Sequence, residues 1–315
     1  MTTKTYLVTG GAGFIGSHIA ATLLERGETV RIFDSLVTGR EINLAALKGQ
    51  AEYIQGDLRD GVVLKEAMRG VDVVFHQAAI ASVPRSIADP TGSLEINVNG
   101  TQNVLLAARD AGVRRVVFAS SSAIYGDAPE FPKREDMYPA PLSPYALHKL
   151  TGEFLCSIFT RIYGLETIAL RYFNVFGPRQ DPASEYAAVI PRFLSLLSTG
   201  QRPVIFGDGE QTRDFVYVGD VVRANLLAST SSKAVGAVIN IGAGKHTSLN
   251  TVLRIARELL GVQIEAEYRD GRPGDVRDSL ADIQLAHRLL GFQPEIDLRT
   301  GLALTLESVR QVHAG

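Results

Sequence analysis

Between an apolar run, Thr5–Thr9, and a helical pattern beginning at Phe14, the chain reads Gly10-Gly11-Ala12-Gly13-Phe14-Ile15-Gly16. This spacing of glycines constrains the fold more than any other feature. Glycine permits a tight turn, close approach of a phosphate to the backbone and close helix-to-strand contact, while a helix N-terminus stabilises negative charge. A strand, a glycine turn and a helix form the first βα unit of a parallel sheet.

The alternation continues. Strand patterns cover Thr5–Thr9, Thr29–Phe33, Glu52–Gln55, Val71–Phe75 and Arg115–Ala119, separated by helical patterns over Phe14–Arg26, Val62–Arg69 and Ile96–Ala111. Strands alternating with helices imply right-handed crossovers and a parallel sheet covered on both faces, so the fold class is a doubly wound α/β domain. After about Phe173 the pattern loosens, with helical stretches at Ala188–Leu197, Asp220–Ala228, Leu249–Leu260 and Asp282–Leu290 and strands near Pro203–Phe206 and Ala237–Ile241. We expect a dinucleotide-binding domain over 1–173 and a smaller, substrate-binding C-terminal lobe over 174–315. Segments near 214–243 should return to the main sheet, which leaves no sharp boundary. The 315 residues exceed the size at which single cores tend to divide.

Asp34 ends the second strand pattern, 18 residues after Gly16. A carboxylate there accepts hydrogen bonds from both ribose hydroxyls of an adenosine and repels a 2′-phosphate, so NAD is favoured over NADP. Arg40 works the other way, because a guanidinium nearby accommodates that phosphate. Asp57-Leu58 follows the third strand and suits the adenine edge. Gln77-Ala78-Ala79-Ile80 follows the fourth, where small residues admit a cofactor.

Ser120-Ser121-Ser122 comes directly after the fifth strand, followed by Tyr145 and Lys149. If Ser143-Pro144 opens a helix, Tyr145 and Lys149 share one face a turn apart. The ammonium then stabilises a tyrosinate, and a serine hydroxyl orients a substrate alcohol. Such a group takes a proton from a sugar hydroxyl as hydride leaves its carbon.

With 32 basic and 34 acidic residues, the net charge of −2 gives no electrostatic case for a nucleic-acid or membrane partner. One cysteine, Cys156, excludes an intramolecular disulfide framework and fits a reducing compartment. The six scattered histidines show no metal-ligand spacing. No stretch reaches the length of a membrane span, and no secretory leader pattern precedes the first strand, so we expect a cytoplasmic protein.

Gly10–Gly16, Ser120–Gly126, Tyr145–Lys149, Arg171-Tyr172-Phe173-Asn174 and Gly207-Asp208-Gly209 with Arg213-Asp214 together resemble the extended short-chain dehydrogenase/reductases that act on sugar nucleotides, built on a Rossmann domain. Ser82-Val83-Pro84-Arg85-Ser86, Tyr186–Pro191 and Gly274–Asp282 bring the chain nearest to the UDP-glucose and UDP-N-acetylglucosamine 4-epimerases. The resemblance implies Tyr145 as base, Lys149 as its activator and a ribose ligand, and Ser121 or Ser122 as hydrogen-bond partner. Counting back from Tyr125 in the Ser-x-x-x-Tyr-Gly arrangement selects Ser121, and counting from the strand end selects Ser122. Around NAD it implies Gly10, Gly13, Phe14, Ile15, Gly16, Asp34, Gly39, Asp57, Leu58, Gln77, Ala78, Ala79 and Tyr172. Around a UDP-sugar it implies Ser82, Asn174, Ala188, Val189, Phe206, Arg213, Arg272, Asp275 and Ser279. Ser279 stands where glucose-restricted members carry a bulky tyrosine, which implies room for a 2-N-acetyl group. The resemblance also implies a homodimer in which Ile96–Ala111 and Tyr145–Tyr163 pair across a two-fold axis as a four-helix interface. In the simpler alternative, the two helices are sandwiched inside one subunit.

Three other functions are weighed. A 4,6-dehydratase resembles Thr-Asp-Glu where this chain has Ser121-Ser122-Ala123, so the acid and base of water elimination are missing. A uronic-acid 4-epimerase needs a cation at the sugar, which Arg85 or Arg277 would supply. A NAD-sensing regulatory protein would need no proton-transfer group, whereas Ser121, Tyr145 and Lys149 are all present.

Overall fold

The computed structural model describes residues 3–181, 189–271 and 277–314. Seven strands form one parallel sheet: β1 (Thr5–Thr9), β2 (Thr29–Asp34), β3 (Glu52–Gln55), β4 (Val73–His76), β5 (Arg115–Ser121), β6 (Glu166–Tyr172) and, arriving late in the chain, β11 (Val238–Ile241). Their order is β11-β6-β5-β4-β1-β2-β3, with the direction reversal beside β1. The central strands are unbroken apolar runs such as Tyr6-Leu7-Val8, as expected when helices cover both faces. On one face α1 (Phe14–Glu25), the short α2 (Glu41–Leu44), α9 (Val218–Thr230) and α11 (Gln284–Leu290) enclose a core with Ile19, Leu23, Val221 and Leu290. On the other, α3 (Gly61–Ala67), α6 (Gly100–Asp110) and α7 (Pro144–Tyr163) bury Leu64, Val104, Leu105, Cys156 and Phe159. Two short helices, α4 (Val83–Ala88) and α5 (Pro90–Leu94), link β4 to α6.

The C-terminal lobe has its own core. Ile190, Phe193 and Leu194 of α8 (Val189–Ser198), Val252 and Leu253 of α10 (Leu249–Leu260), and Leu302 and Leu306 of α12 (Leu298–Ala314) pack together with Ile205. Three two-stranded ladders tie this lobe together: β7 (Asn174–Phe176) with β10 (Phe215–Tyr217), β8 (Val204–Phe206) with β13 (Glu267–Arg269), and β9 (Thr212–Arg213) with β12 (Thr247–Ser248).

The short strands β7, β9, β10, β12 and β13 and helix α12 are absent from the sequence-based set, and two departures bear on the main sheet. The helix expected over Ile96–Ala111 starts with a π turn, Glu95–Asn99, before α6. That extra residue turns Asn97 inward, where its side chain bonds both the N–H (2.8 Å) and the C=O (3.1 Å) of Ile80 just beyond β4. Strand β6 is absent from the sequence-based set because it follows α7 after only Gly164 and Leu165. Continuous apolar spacing blurs that boundary, and only Gly164, at φ 71°, marks it.

Candidate active site

The functional residues gather at the C-terminal ends of the parallel strands, where the direction reversal opens a crevice. Gly10 adopts φ 69°, which only glycine tolerates easily, and a Cβ there would stand 2.6 Å from the nitrogen of Ala78. A Cβ on Gly16 would stand 2.2 Å from the carbonyl oxygen of Gly10. The loop therefore folds tightly against the start of α1, whose first-turn N–H groups have no partner within the helix.

Asp34 closes β2 and is buried, with one carboxylate oxygen accepting from Ala12 N (2.9 Å) and the other from Leu36 N (2.8 Å). Burial pushes its carboxyl up, and those two backbone bonds oppose the rise. Gly10, Asp34, Asp57, Leu58, Ala78, Ala79 and Ile96 line one crevice. Gly39 packs so closely that a Cβ would meet the Asp34 carboxylate at 2.5 Å. Arg40 lies 3.7 Å from Asp181. Asp57 is gripped by Arg59 at 2.7 and 3.0 Å, which holds its carboxyl below the usual range. Gln77 meets the Tyr172 hydroxyl and Asn225 within 3.2–3.3 Å. Burial raises the Tyr172 phenol to about 12.

Ser143 caps α7 by accepting from Ala146 N (3.2 Å), and Pro144 occupies its first turn. The N–H of Tyr145, an orphan of that first turn, donates to Ser86 Oγ at 3.1 Å. Lys149 Nζ donates to the carbonyl of Ala119 at 2.7 Å and lies 5.9 Å from the centre of the Tyr145 ring. Burial pulls the ammonium down to about 8, opposed by Cys156. Burial also holds the Tyr145 phenol above its ordinary value, and a hydrogen bond from Ser121 works against the rise. Strand β5 runs to Ser121, two residues further than its apolar pattern, so Ser121 is its last residue and Ser122 opens a short 3₁₀ turn.

A cavity of about 820 Å³ brings Ser121, Ser122, Tyr145, Tyr172, Lys133 and Ser279 together. A second, of about 300 Å³, is lined by Val189, Phe193, Phe206, Gln211 and Leu249. Asn174 and Arg213 line both. Ser82 caps α4, its Oγ accepting from Arg85 N at 3.2 Å, and Val83, Pro84 and Ile87 line the larger cavity. Arg277 is engaged by Asp208 at 3.2 Å. Ala188, Arg272 and Asp275 lie outside the described residues.

The model of the NAD dependent epimerase/dehydratase family matches residues 6–242. The chain belongs to this family. It is 45% identical to a putative UDP-glucose 4-epimerase of Methanocaldococcus jannaschii over 94% of this chain and 95% of that protein. Among solved structures it resembles a UDP-N-acetylglucosamine 4-epimerase of Methanobrevibacter ruminantium in complex with UDP-N-acetylmuramic acid (TM-score 0.95, 41% identity, 99% of this chain and 100% of that one). It also resembles a Thermotoga maritima UDP-glucose 4-epimerase with UDP-glucose (TM-score 0.94, 39% identity, 98% and 99%).

Membership in the epimerase/dehydratase family makes NAD the cofactor, and the residues fit it. Gly10 and Gly16 leave no room for a Cβ against Ala78 and Gly10 respectively, which gives the tight glycine turn that a diphosphate-binding loop requires. Asp34 is held by backbone donors with its carboxylate at the end of β2, and Arg40 points towards Asp181. Sequence reasoning missed Ser86, Asn97, Asn225 and Glu153, all buried polar side chains. The available signal was a polar residue interrupting an otherwise apolar helical face, as Asn97 and Glu153 do.

Proposed function

We propose that this protein interconverts the C4 epimers of UDP-hexoses, taking both UDP-N-acetylglucosamine/UDP-N-acetylgalactosamine and UDP-glucose/UDP-galactose. The observation that carries the reading is the larger cavity, which holds Ser121, Tyr145 and Ser279 together and shares Asn174 and Arg213 with the second. The sugar occupies the first, the uracil lies against Val189 and Phe206 in the second, and the diphosphate spans Asn174 and Arg213. Arg272 and Asp275 are assigned to phosphate and ribose on sequence grounds.

Tyr145 takes the proton of the sugar 4-hydroxyl, and Ser121, rather than Ser122, orients that hydroxyl. Ser121 is the residue whose hydrogen bond favours the tyrosinate. Buried Lys149 supplies positive charge close to the Tyr145 ring. Held by the Gly10–Gly16 turn and Asp34, NAD would supply the hydride acceptor and donor at C4, and Tyr145 gives its proton back to the 4-oxygen when hydride returns to the opposite face. Arg213 and Asn174 keep the diphosphate while the sugar ring turns. Half-buried Ser279 leaves space beside the sugar for a 2-acetamido group. Of the two arginines that a uronate reading calls on, Arg277 is paired with Asp208, which favours an uncharged hexose.

We further infer a homodimer. One face of α7 is buried, and the opposite face presents Leu147, Phe154, Ile158 and Ile162 to solvent at seven- and four-residue spacings, an apolar stripe that favours a partner helix. A single buried, free cysteine fits the reducing cytoplasm. No helix among the described residues is long and apolar enough to cross a membrane.

The deciding experiment is product analysis by NMR after incubation with UDP-glucose, UDP-N-acetylglucosamine and UDP-glucuronate in turn. The galacto epimers of the first two are expected. No epimer from either, with NAD bound, would overturn the reading.

A further inference from the structure

Tyr145, Lys149 and Glu153 stand one turn apart on the buried face of α7, and each meets a different one of three consecutive β5 residues. The Ser121 hydroxyl bonds the Tyr145 phenol, Lys149 Nζ donates to Ala119 O at 2.7 Å, and Ser120 Oγ donates to Glu153 Oε1 at 2.6 Å. The third contact lies deepest. Arg171 Nε and Nη2 donate to the two Glu153 oxygens, each at 2.8 Å, and both side chains are 4% exposed. Arg171 belongs to β6, directly opposite Ser120 in the strand register. Its guanidinium covers the ring of Tyr125 at 4.8 Å, and Tyr125 lines the larger cavity.

The reaction assigns no task to this pair. A buried ion pair recovers little more than the cost of removing its charges from water, so stability alone is a weak reason for having one. The packing around it suggests a better one. Between Lys149 and Glu153, α7 presents Gly152 to Phe118, so closely that a Cβ would stand 2.4 Å from the ring. A glycine against a flat ring brings helix and strand together but does little to stop one sliding along the other. A directional, two-pronged bond does.

We propose that Ser120, Glu153 and Arg171 form a register clamp, positioning residues that fix the turn-by-turn alignment of α7 on β5 and so hold Tyr145 and Lys149 at the sugar. Its activity readout rests on the epimerase reading, and its structural readout does not. A slip of 1 Å in a reacting group costs up to about a hundredfold in rate. Ser120→Ala, which removes one hydroxyl, is expected to lower kcat for UDP-N-acetylglucosamine roughly tenfold, with KM and bound NAD unchanged. Because Glu153→Gln alone strands a buried guanidinium and risks misfolding, the charge pair is removed whole in Glu153→Met/Arg171→Met. That variant is expected to melt near the wild-type temperature and still lose kcat. In Ser120→Ala, amide hydrogen exchange over residues 146–152 should quicken. Wild-type kcat in both variants, or losses of kcat, KM and NAD that follow a lowered melting temperature, would overturn the clamp. If the wild type itself fails to epimerise, the functional reading falls and exchange alone decides, with unchanged protection at 146–152 overturning the clamp.

Discussion

Replacing Gly16 with alanine tests how tightly the cofactor loop is built. The added Cβ would stand 2.2 Å from Gly10 O and 2.9 Å from Gly11 Cα, so helix or loop must retreat by roughly 1 Å to reach ordinary contact. Neither is free to move. Gly10 N donates to Phe33 O at 2.8 Å, and Ser17 N donates to Gly13 O at 3.1 Å. From the far side, Arg179 donates to Ser17 O at 2.9 Å and His18 bonds Pro178 O at 2.9 Å. Overpacking of this kind costs about 2 kcal/mol, and displacement of the phosphate-facing turn should weaken NAD binding at least about tenfold, or 1.4 kcal/mol. Gly13→Ala is the internal control, because its Cβ meets only Gly10 O, at 3.0 Å. Calorimetry of the NAD-free proteins gives the stability loss, and titration with NAD gives the affinity. A Gly16→Ala protein with wild-type melting and NAD affinity, or a larger stability loss in Gly13→Ala, would refute the reasoning.

Tyr145→Phe should lower turnover by about 10²- to 10⁴-fold with NAD content retained; unchanged turnover would remove Tyr145 from the chemistry. Ser279→Tyr should reduce kcat/KM for UDP-N-acetylglucosamine by about 10- to 200-fold while sparing UDP-glucose, and equal losses on both substrates would count against the acetamido pocket. His18 and His76 are held down to about 4 and about 3, chiefly by burial. Both are therefore neutral when folded, and the unfolded chain binds more protons below its ordinary histidine pKa near 6.5. Stability should fall as pH drops from about 6.5 towards 4, by up to about 1.4 kcal/mol per pH unit for each histidine. His76→Gln should flatten that slope in thermal melts of the NAD-free protein. Ile158→Asp should shift the sedimentation coefficient from dimer to monomer with the fold intact; an unchanged value would exclude the α7 stripe as the interface.

The glycine turn, Asp34 and the Tyr145–Lys149 helix were legible because each depends on local rules: a positive φ, a strand end, an i,i+4 spacing. The strands of the first half were legible too, within a residue or two, because buried parallel strands are continuous apolar runs. What was not legible depends on partners distant in the chain. The strand near 203–206 was legible, but its pairing with β13 was not, because it joins residues 204–206 to 267–269 and the second run is too short to announce itself. The π turn at Glu95–Asn99 reads as ordinary helix until Ile80 is brought against Asn97. Nothing local to Glu153 announces its partner, and only the register of β6 against β5 places Arg171 over it.

The late arrival of β11 has a consequence for biosynthesis. Once Tyr172 has left the ribosome, six strands of the sheet are available, yet β6 presents an open edge with buried Ile168 and Leu170 on it. That edge is paired only when Val238–Ile241 emerges, about 70 residues and, at about 5–20 residues per second, roughly 4–14 s later. During that interval the nascent chain carries an unprotected apolar strand, a template for aggregation. Slow translation between codons 172 and 241 should therefore lower soluble yield more than slow translation after 241.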